Sequence, residues 1–406
     1  METLQSQFIQ IATPSKPLAL LNGETLSEVT LAYETYGELN AAKDNAILLF
    51  HALSGSQHAA GLNASVPEAG PGGRFWTEDC QIGWWHDFVG PGKALDTSRF
   101  FVVCANYLGG CYGSTGPSSI DPSTGEPYGS RFPSIAVRDI VDSQARLLDA
   151  LGIDRVHAVV GGSMGGMNCL AFAARYPKRV SVVIPMATSF YATTLHRINN
   201  FEQICAIECD VHFNGGDYYQ GSYPEQGLAL ARMIAHKNYV SLSTMEDRAR
   251  DEVIQPSVDW FQRYRFSQPI ESYLLHQGLK FVRRFDANTY LRLCEAWLQF
   301  DLLEASGQPD LSLMLEACAH QKYMIFSVDS DVCFYPEEQA QMTRMLKEHG
   351  LDVATLPFIP RKGMTPSCWR PTFWNLISGI LSKRPGRLKT EKRPFRRLKG
   401  DDVSVR

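Results

Sequence analysis

VHAVVGGSMGGMNCLAFAARYP, residues 156–177, is the stretch that decides the architecture. Its opening run of β-branched and small apolar residues predicts a buried strand ending near Gly161, and Met167, Leu170 and Phe172 in an alanine-rich setting begin a helix. Between them Gly161-Gly162-Ser163-Met164-Gly165 makes a G-x-S-x-G turn. So tight a turn leaves no room for side chains beside the serine and holds the serine backbone under strain. The Oγ is then exposed at a helix N-terminus, where the dipole and unpaired N–H groups favour developing negative charge. Ser163 is therefore the candidate nucleophile. G-x-S-x-G also occurs by chance in glycine-rich loops, and the flanking strand and helix set this one apart.

Working outward, short runs rich in β-branched and aromatic residues predict strands at 29–36, 46–50, 100–105, 156–160, 180–186, 323–328 and 353–358. Val137, Ile140, Val141, Leu147, Leu148 and Leu151 fall at helical spacing, and Gly152 stands where a C-terminal stop belongs. Strand, helix, strand with continuously apolar strands implies a mostly parallel sheet covered on both faces, and the serine turn makes it an α/β-hydrolase fold. From about 191 to 311 the pattern turns helical, as in GLALARMIAH (227–236) and TYLRLCEAWLQFDLLEA (289–305), before strands resume. The expected organisation is a discontinuous core of residues 1–190 and 312–382, a helical lid insertion at 191–311, and a basic, Pro-interrupted tail at 383–406 that lacks the apolar residues to fold alone.

In such a fold the second oxyanion-hole amide, besides that of Met164, comes from the loop after an early strand. In AILLFHALSGSQHAAG (46–61) that loop begins at Leu53. His51 and His58 invite a catalytic reading, but a neutral histidine at a strand end is more often structural. The triad acid should follow the insertion. Asp331 stands just beyond the 323–328 strand, and chain order Ser, Asp, His is the order this fold uses. Its plain alternative is capping the helix that starts near Pro336.

Composition narrows the class. A 44% hydrophobic and 20% charged chain of 406 residues has a substantial core, and a net charge of −4 gives no reason to expect a nucleic-acid partner. No run approaches a membrane span and the N-terminus has no secretory pattern, so a cytoplasmic protein with reduced cysteines is expected. The ten cysteines lack metal-site spacing, and neither a metal nor a resident cofactor is expected.

HALSGSQHAAG (51–61), the glycine-rich stretch 83–129, VVGGSMGGMNCLAFAARYP (159–177), GLALARMIAHKNYVS (227–241) and RFDANTYL (284–291) together resemble the homoserine O-acetyltransferase family, over roughly residues 15–360. The resemblance implies acyl transfer from acetyl-CoA to L-homoserine in methionine biosynthesis, through an acyl-Ser163 intermediate. It assigns Asp331, within SDVCFYP (330–336), as the triad acid and Arg232 as the group that holds the substrate carboxylate. Without the resemblance Arg232 reads as a surface ion-pair residue on a helix. A homodimer formed through the lid is implied by the resemblance alone. A lid also suits transfer over hydrolysis, because it narrows the approach and excludes water.

One element of the pattern is missing. Where the family carries Gly-His-Asp after its last strand, this chain reads IPRKGMTPSCWRPTF (359–373), so Met364 stands at the expected place of the triad histidine. His349, the only histidine after Asp331, precedes the last predicted strand. Reverse-translating residues 362–372 and reading one base earlier permits Gly-His-Asp-Ser-Phe-Leu-Leu-Glu-Ala-Asp. Met followed by Thr forces the Asp, and Cys followed by Trp forces a Leu; the other positions need particular permitted codons. A single-base frameshift near residues 359–362 accounts for both the missing histidine and the basic tail; a divergent C-terminus is the alternative. An O-succinyltransferase, a serine hydrolase and a catalytically impaired form are the competing functional readings.

Overall fold

The computed structural model describes residues 3–65, 71–249 and 252–358. Met364, the stretch read as frameshifted and the basic tail lie outside the described residues. The central sheet has eight strands: β1 (Gln7–Ala12), β2 (Val29–Tyr36), β3 (Ala46–Phe50), β4 (Phe101–Ala105), β5 (Val156–Gly162), β6 (Val180–Met186), β7 (Lys322–Val328) and β8 (Asp352–Phe358). Their spatial order is β1-β2-β4-β3-β5-β6-β7-β8. β2 runs antiparallel to β1 and β4, and every pair from β4 onward is parallel. The seven strands expected from sequence form within two residues of their expected ends. β1 is an addition, because QFIQIA is only part-buried on both faces over its first four residues and has a register shift between Gln10 and Ala12, which hide its period.

Alternation along the central strands sorts the core into two layers. Leu48, Phe50, Val103, Val159, Val183 and Ile325 join one cluster, which includes the buried sides of α1 (Val137–Ala150) and α2 (Met164–Arg175). Ile47, Leu49, Val102, Cys104, Val160, Ile184 and Phe326 join the other, closed by Ala59, Ala60, Val89 and Leu95 with Trp84, Trp85 and Phe88 packed on them. The sheet is thus covered on both faces, but part of the second cover is irregular chain rich in aromatic residues rather than helix. α1 ends as the spacing predicts, with Gly152 at φ +67.

Between β6 and β7 the described chain forms seven α-helices: α3 (Thr194–Glu208), α4 (Glu225–Tyr239), α5 (Leu242–Arg248), α6 (Pro269–Val282), α7 (Ala287–Leu298), α8 (Leu302–Ser306) and α9 (Leu311–Ala317). α3 packs on α4 and α7, and α4 on α6, while α8 and α9 pack against α2. The carboxylate of Asp286 ties these helices together: it caps α7 through the Thr289 amide and accepts from the hydroxyls of Tyr218, Tyr219 and Tyr223. α10 (Pro336–Glu348) then links β7 to β8. No helix among the described residues is long and apolar enough to cross a membrane.

Candidate active site

Ser163 sits between β5 and α2 with φ 56 and ψ −125, a backbone state that non-glycine residues rarely hold. Its amide donates to the Met186 carbonyl of β6 at 2.9 Å, and its carbonyl accepts from Gly166 at 2.8 Å. A Cβ on Gly165 would lie 2.4 Å from the Phe50 carbonyl oxygen, and one on Gly161 would lie 2.5 Å from the Gly165 oxygen. These two glycines let the turn press against the end of β3. Gly162, which directly precedes the serine, has ordinary clearance of 3.8 Å. The steric demand predicted for the turn therefore falls on the motif glycines and not on the residue beside the nucleophile.

Ser163 opens onto a cleft of about 410 Å³ whose walls include Leu53, Arg232 and Asp331. Four of the residues singled out in the sequence thus meet around one space. Met164, fully buried at the start of α2, is not among the residues lining the cleft, so any part it plays there falls to its backbone amide. The amides of Leu53 and Met164 donate to no other described residue, as an oxyanion hole requires.

The loop bearing Leu53 is held from beneath. The Ala52 carbonyl accepts from His51 Nδ1 at 2.7 Å and from the Gly55 amide at 2.9 Å. In a trans peptide the C=O and the following N–H point in opposite directions. Anchoring the Ala52 oxygen on one side therefore directs the Leu53 N–H to the other. His51 itself is 1% exposed, stacks on Tyr107 with ring centroids 3.7 Å apart, and leaves Nε2 without a partner among the described residues. Burial pulls its pKa down to about 4, against the Ala52 bond that favours the charged form. It is a neutral structural group. His58 is structural too: it bonds the buried Glu34 carboxylate at 2.7 Å through Nδ1 and the Gln81 carbonyl at 2.9 Å through Nε2.

Asp331 lies three residues beyond β7. Its Oδ1 accepts from the Cys333 and Phe334 amides, both at 2.8 Å, which sets the loop before α10. The N-cap of that helix is Tyr335, so the plain capping role is not the one Asp331 plays. Burial pushes its carboxyl upward, and the two amides pull the other way. Arg232, on α4, places its guanidinium 4.9 Å from the centre of the Phe281 ring.

All ten histidines of the chain lie within the described residues, and none of them lines the cleft. His196 comes near, but its Nε2 bonds the Cys333 carbonyl at 2.7 Å and its Nδ1 accepts from the Thr193 amide at 3.2 Å. His349 caps the far end of α10 against the Met345 carbonyl. The cleft thus gathers the candidate nucleophile, the candidate oxyanion loop, the candidate acid and a cation, and no imidazole is among its described lining residues. Tyr290, Asn238, Ser241 and Phe334 also line it. They went unread in the sequence because each belongs to a helical insertion or loop where no local motif marks a wall residue.

Residues 45–354 match the family model described as the alpha/beta hydrolase fold. The homoserine O-acetyltransferase of Solidesulfovibrio magneticus is 41% identical over 86% of this chain and 85% of its own length. The homoserine O-succinyltransferase of Alkalilimnicola ehrlichii is 45% identical over 84% of this chain and 85% of its own. Among solved structures, a homoserine O-acetyltransferase from Bacillus anthracis superposes with a TM-score of 0.79 at 25% identity, covering 95% of this chain and all of that one. An esterase superposes with a TM-score of 0.77 at 27% identity, covering 93% of this chain and all of that one. With this shared sequence running through the strands, the serine turn and the helical insertion alike, the chain belongs to the α/β-hydrolase-fold family of the homoserine O-acyltransferases.

Proposed function

We propose that this chain is built to transfer an acyl group from acyl-CoA to the hydroxyl of L-homoserine. The observation that carries the reading is the convergence of Ser163, Leu53, Asp331 and Arg232 on one cleft. In the first half-reaction the Ser163 oxygen attacks the thioester carbonyl, the amides of Leu53 and Met164 hold the oxyanion, and CoA leaves as the thiol. In the second, the homoserine hydroxyl attacks the acyl-serine ester, giving the O-acyl amino acid and free Ser163. Arg232 binds the acceptor carboxylate through its planar fork. Acetyl-CoA is the preferred donor: Arg232 is the one cation among the described residues lining the cleft, and once the acceptor occupies it none remains there for the second carboxylate of a succinyl group. Small molecules are thus the substrates, in cytoplasmic methionine biosynthesis, with no metal or resident cofactor in the scheme.

A homodimer is part of this reading. Ile198 and Phe201 on α3 and Leu230 on α4, helices packed against each other, are about half exposed or more, and a lid-to-lid contact would cover them. Light scattering on the purified chain checks this, and a monomer at micromolar concentration refutes it.

The second reading concerns the chain as it stands. With no histidine at the cleft and Met364 at the expected position, proton transfer from Ser163 has no imidazole to receive it, and this form is catalytically impaired. The test follows CoA thiol release from acetyl-CoA and succinyl-CoA, with and without homoserine, alongside intact-protein mass spectrometry. Acyl transfer predicts an acyl adduct on Ser163, absent in Ser163→Ala, that homoserine discharges. Release indifferent to homoserine marks a hydrolase, and no adduct on long incubation marks a binding protein.

A further inference from the structure

Arg284 lies in the turn between α6 and α7, within the helical insertion. Its guanidinium is largely buried, yet no carboxylate among the described residues pairs with it, and its Nη1 donates instead to the Ser54 carbonyl at 3.1 Å and the Tyr112 hydroxyl at 3.3 Å. The Tyr112 hydroxyl in turn donates to the Arg284 main-chain carbonyl. Backbone and side chain of this one lid residue are therefore clamped to a core tyrosine. The guanidinium also lies 5.1 Å from the centre of the Phe281 ring, the ring that carries Arg232 at 4.9 Å.

Burying a cation without a counter-ion is costly, and neutral oxygens compensate only when several are well placed. The oxygen this one is spent on is informative. Ser54 directly follows Leu53, whose amide is an oxyanion donor in the acyl-transfer reading on which this inference rests. The Ala52 side of the loop is held by His51, from the core. The Ser54 side is held by Arg284, from the lid.

We propose that Arg284 is a positioning residue that latches the helical insertion onto the oxyanion loop, so that the Leu53 amide is aimed into the cleft only while the lid is seated. A lid that lifts withdraws the guanidinium from Ser54 and loosens one oxyanion donor at the moment water gains access. An acyl-serine exposed in that state is poorly activated toward hydrolysis, whereas a seated lid presents both the acceptor-binding Arg232 and an ordered oxyanion hole.

The test uses the full chain and its variants Arg284→Met and Tyr112→Phe, with a small alkylboronic acid as the probe. The boronate forms a tetrahedral adduct on Ser163 that ¹¹B NMR reports directly, and homoserine binding is measured by calorimetry on the same samples. Amide hydrogen exchange of residues 52–56 is the third readout. Arg284→Met should weaken the adduct about tenfold or more and speed that exchange, leaving homoserine affinity within about twofold. Tyr112→Phe should give a smaller change in the same direction, and it carries the decision if Arg284→Met does not fold. Wild-type adduct strength and exchange in the variants overturn the latch, as does an equal loss of boronate and homoserine. If the chain forms no adduct at all, the missing imidazole accounts for it and the exchange comparison decides the latch by itself, unchanged exchange overturning it; a chain that fails to bind homoserine is what refutes the acyl-transfer reading.

Discussion

Acid should weaken this protein through His51, and the size of the effect can be worked from its surroundings. The imidazole is 1% exposed, donates from Nδ1 to Ala52 and has an Nε2 with no acceptor to receive a second proton. Its pKa falls from 6.5 to about 4. Because the folded value is below the unfolded one, the unfolded chain takes up a proton that the native chain refuses. The contribution is fully present above about pH 6.5, is lost as pH falls through that value, and levels off below about pH 4. At about 1.4 kcal/mol per pH unit, the loss amounts to about 3 kcal/mol across the window. His51→Asn keeps a donor near Ala52 but cannot titrate; losing the ring stacked on Tyr107 should cost it about 2–3 kcal/mol at neutral pH. His196 and His236, whose pKa values are also lowered, are present in both forms and cancel from the difference. Urea unfolding from about pH 7.5 to about pH 4.5 should therefore show the wild-type chain ahead at neutral pH and the gap closing by about pH 4.5. Parallel curves would refute the claim that His51 is held neutral by burial.

Three further outcomes follow from the site. Gly165→Ala, whose methyl would meet the Phe50 oxygen at 2.4 Å, should destabilise by about 3 kcal/mol, whereas Gly162→Ala, with 3.8 Å of clearance, should cost under about 1 kcal/mol; chemical denaturation of both checks the contrast. Arg232→Ala should weaken homoserine binding on the order of 10²-fold or more while leaving acylation of Ser163 by acetyl-CoA unchanged, and equal losses in both half-reactions would point to a packing role on Phe281. Replacing Gly363-Met364-Thr365 by Gly-His-Asp, with the apolar helix of the neighbouring reading frame after it, should raise CoA release on the order of 10⁴-fold; an unrepaired chain already turning over at roughly 1 per second or faster would show that another group serves as base.

The parts that local chemistry dictates were readable in advance. Ser163, its turn and the strands around it follow from glycine sterics and from runs such as AILLF, buried at every position of β3. Arg232 was another matter: α4 bears it at an unremarkable helical position, and only the resemblance distinguished it from a surface ion-pair residue. Arg284 heads RFDANTYL, a stretch that carries the resemblance, but nothing local gave it a role, since its partners Ser54 and Tyr112 are 230 and 172 residues away in sequence. Pairings across such distances are decided by how the insertion docks, and no periodicity encodes that. Gly162 shows the reverse error, a residue credited with a steric duty by its place in the motif although the fold leaves space around it.

In the proposed reaction, a division of labour between core and insertion would let this fold favour an amino-acid hydroxyl over water. The core alone supplies Ser163, the Met164 amide and Asp331, which are the parts any serine esterase of this architecture needs. The insertion bears Arg232, which lines the cleft where the acceptor is proposed to bind, and Arg284, which bonds the Ser54 carbonyl beside Leu53, both close to the Phe281 ring of α6. Asp331 shows the same economy on the core side. One of its oxygens accepts from the Cys333 and Phe334 amides, which fixes the carboxylate, and in the proposed triad the other oxygen would orient an imidazole. On the proposed reading, a C-terminus that lacks the expected histidine would remove proton transfer while Ser163, Leu53, Arg232 and Asp331 still line the cleft, and a protein in that state should bind both substrates while turning over neither.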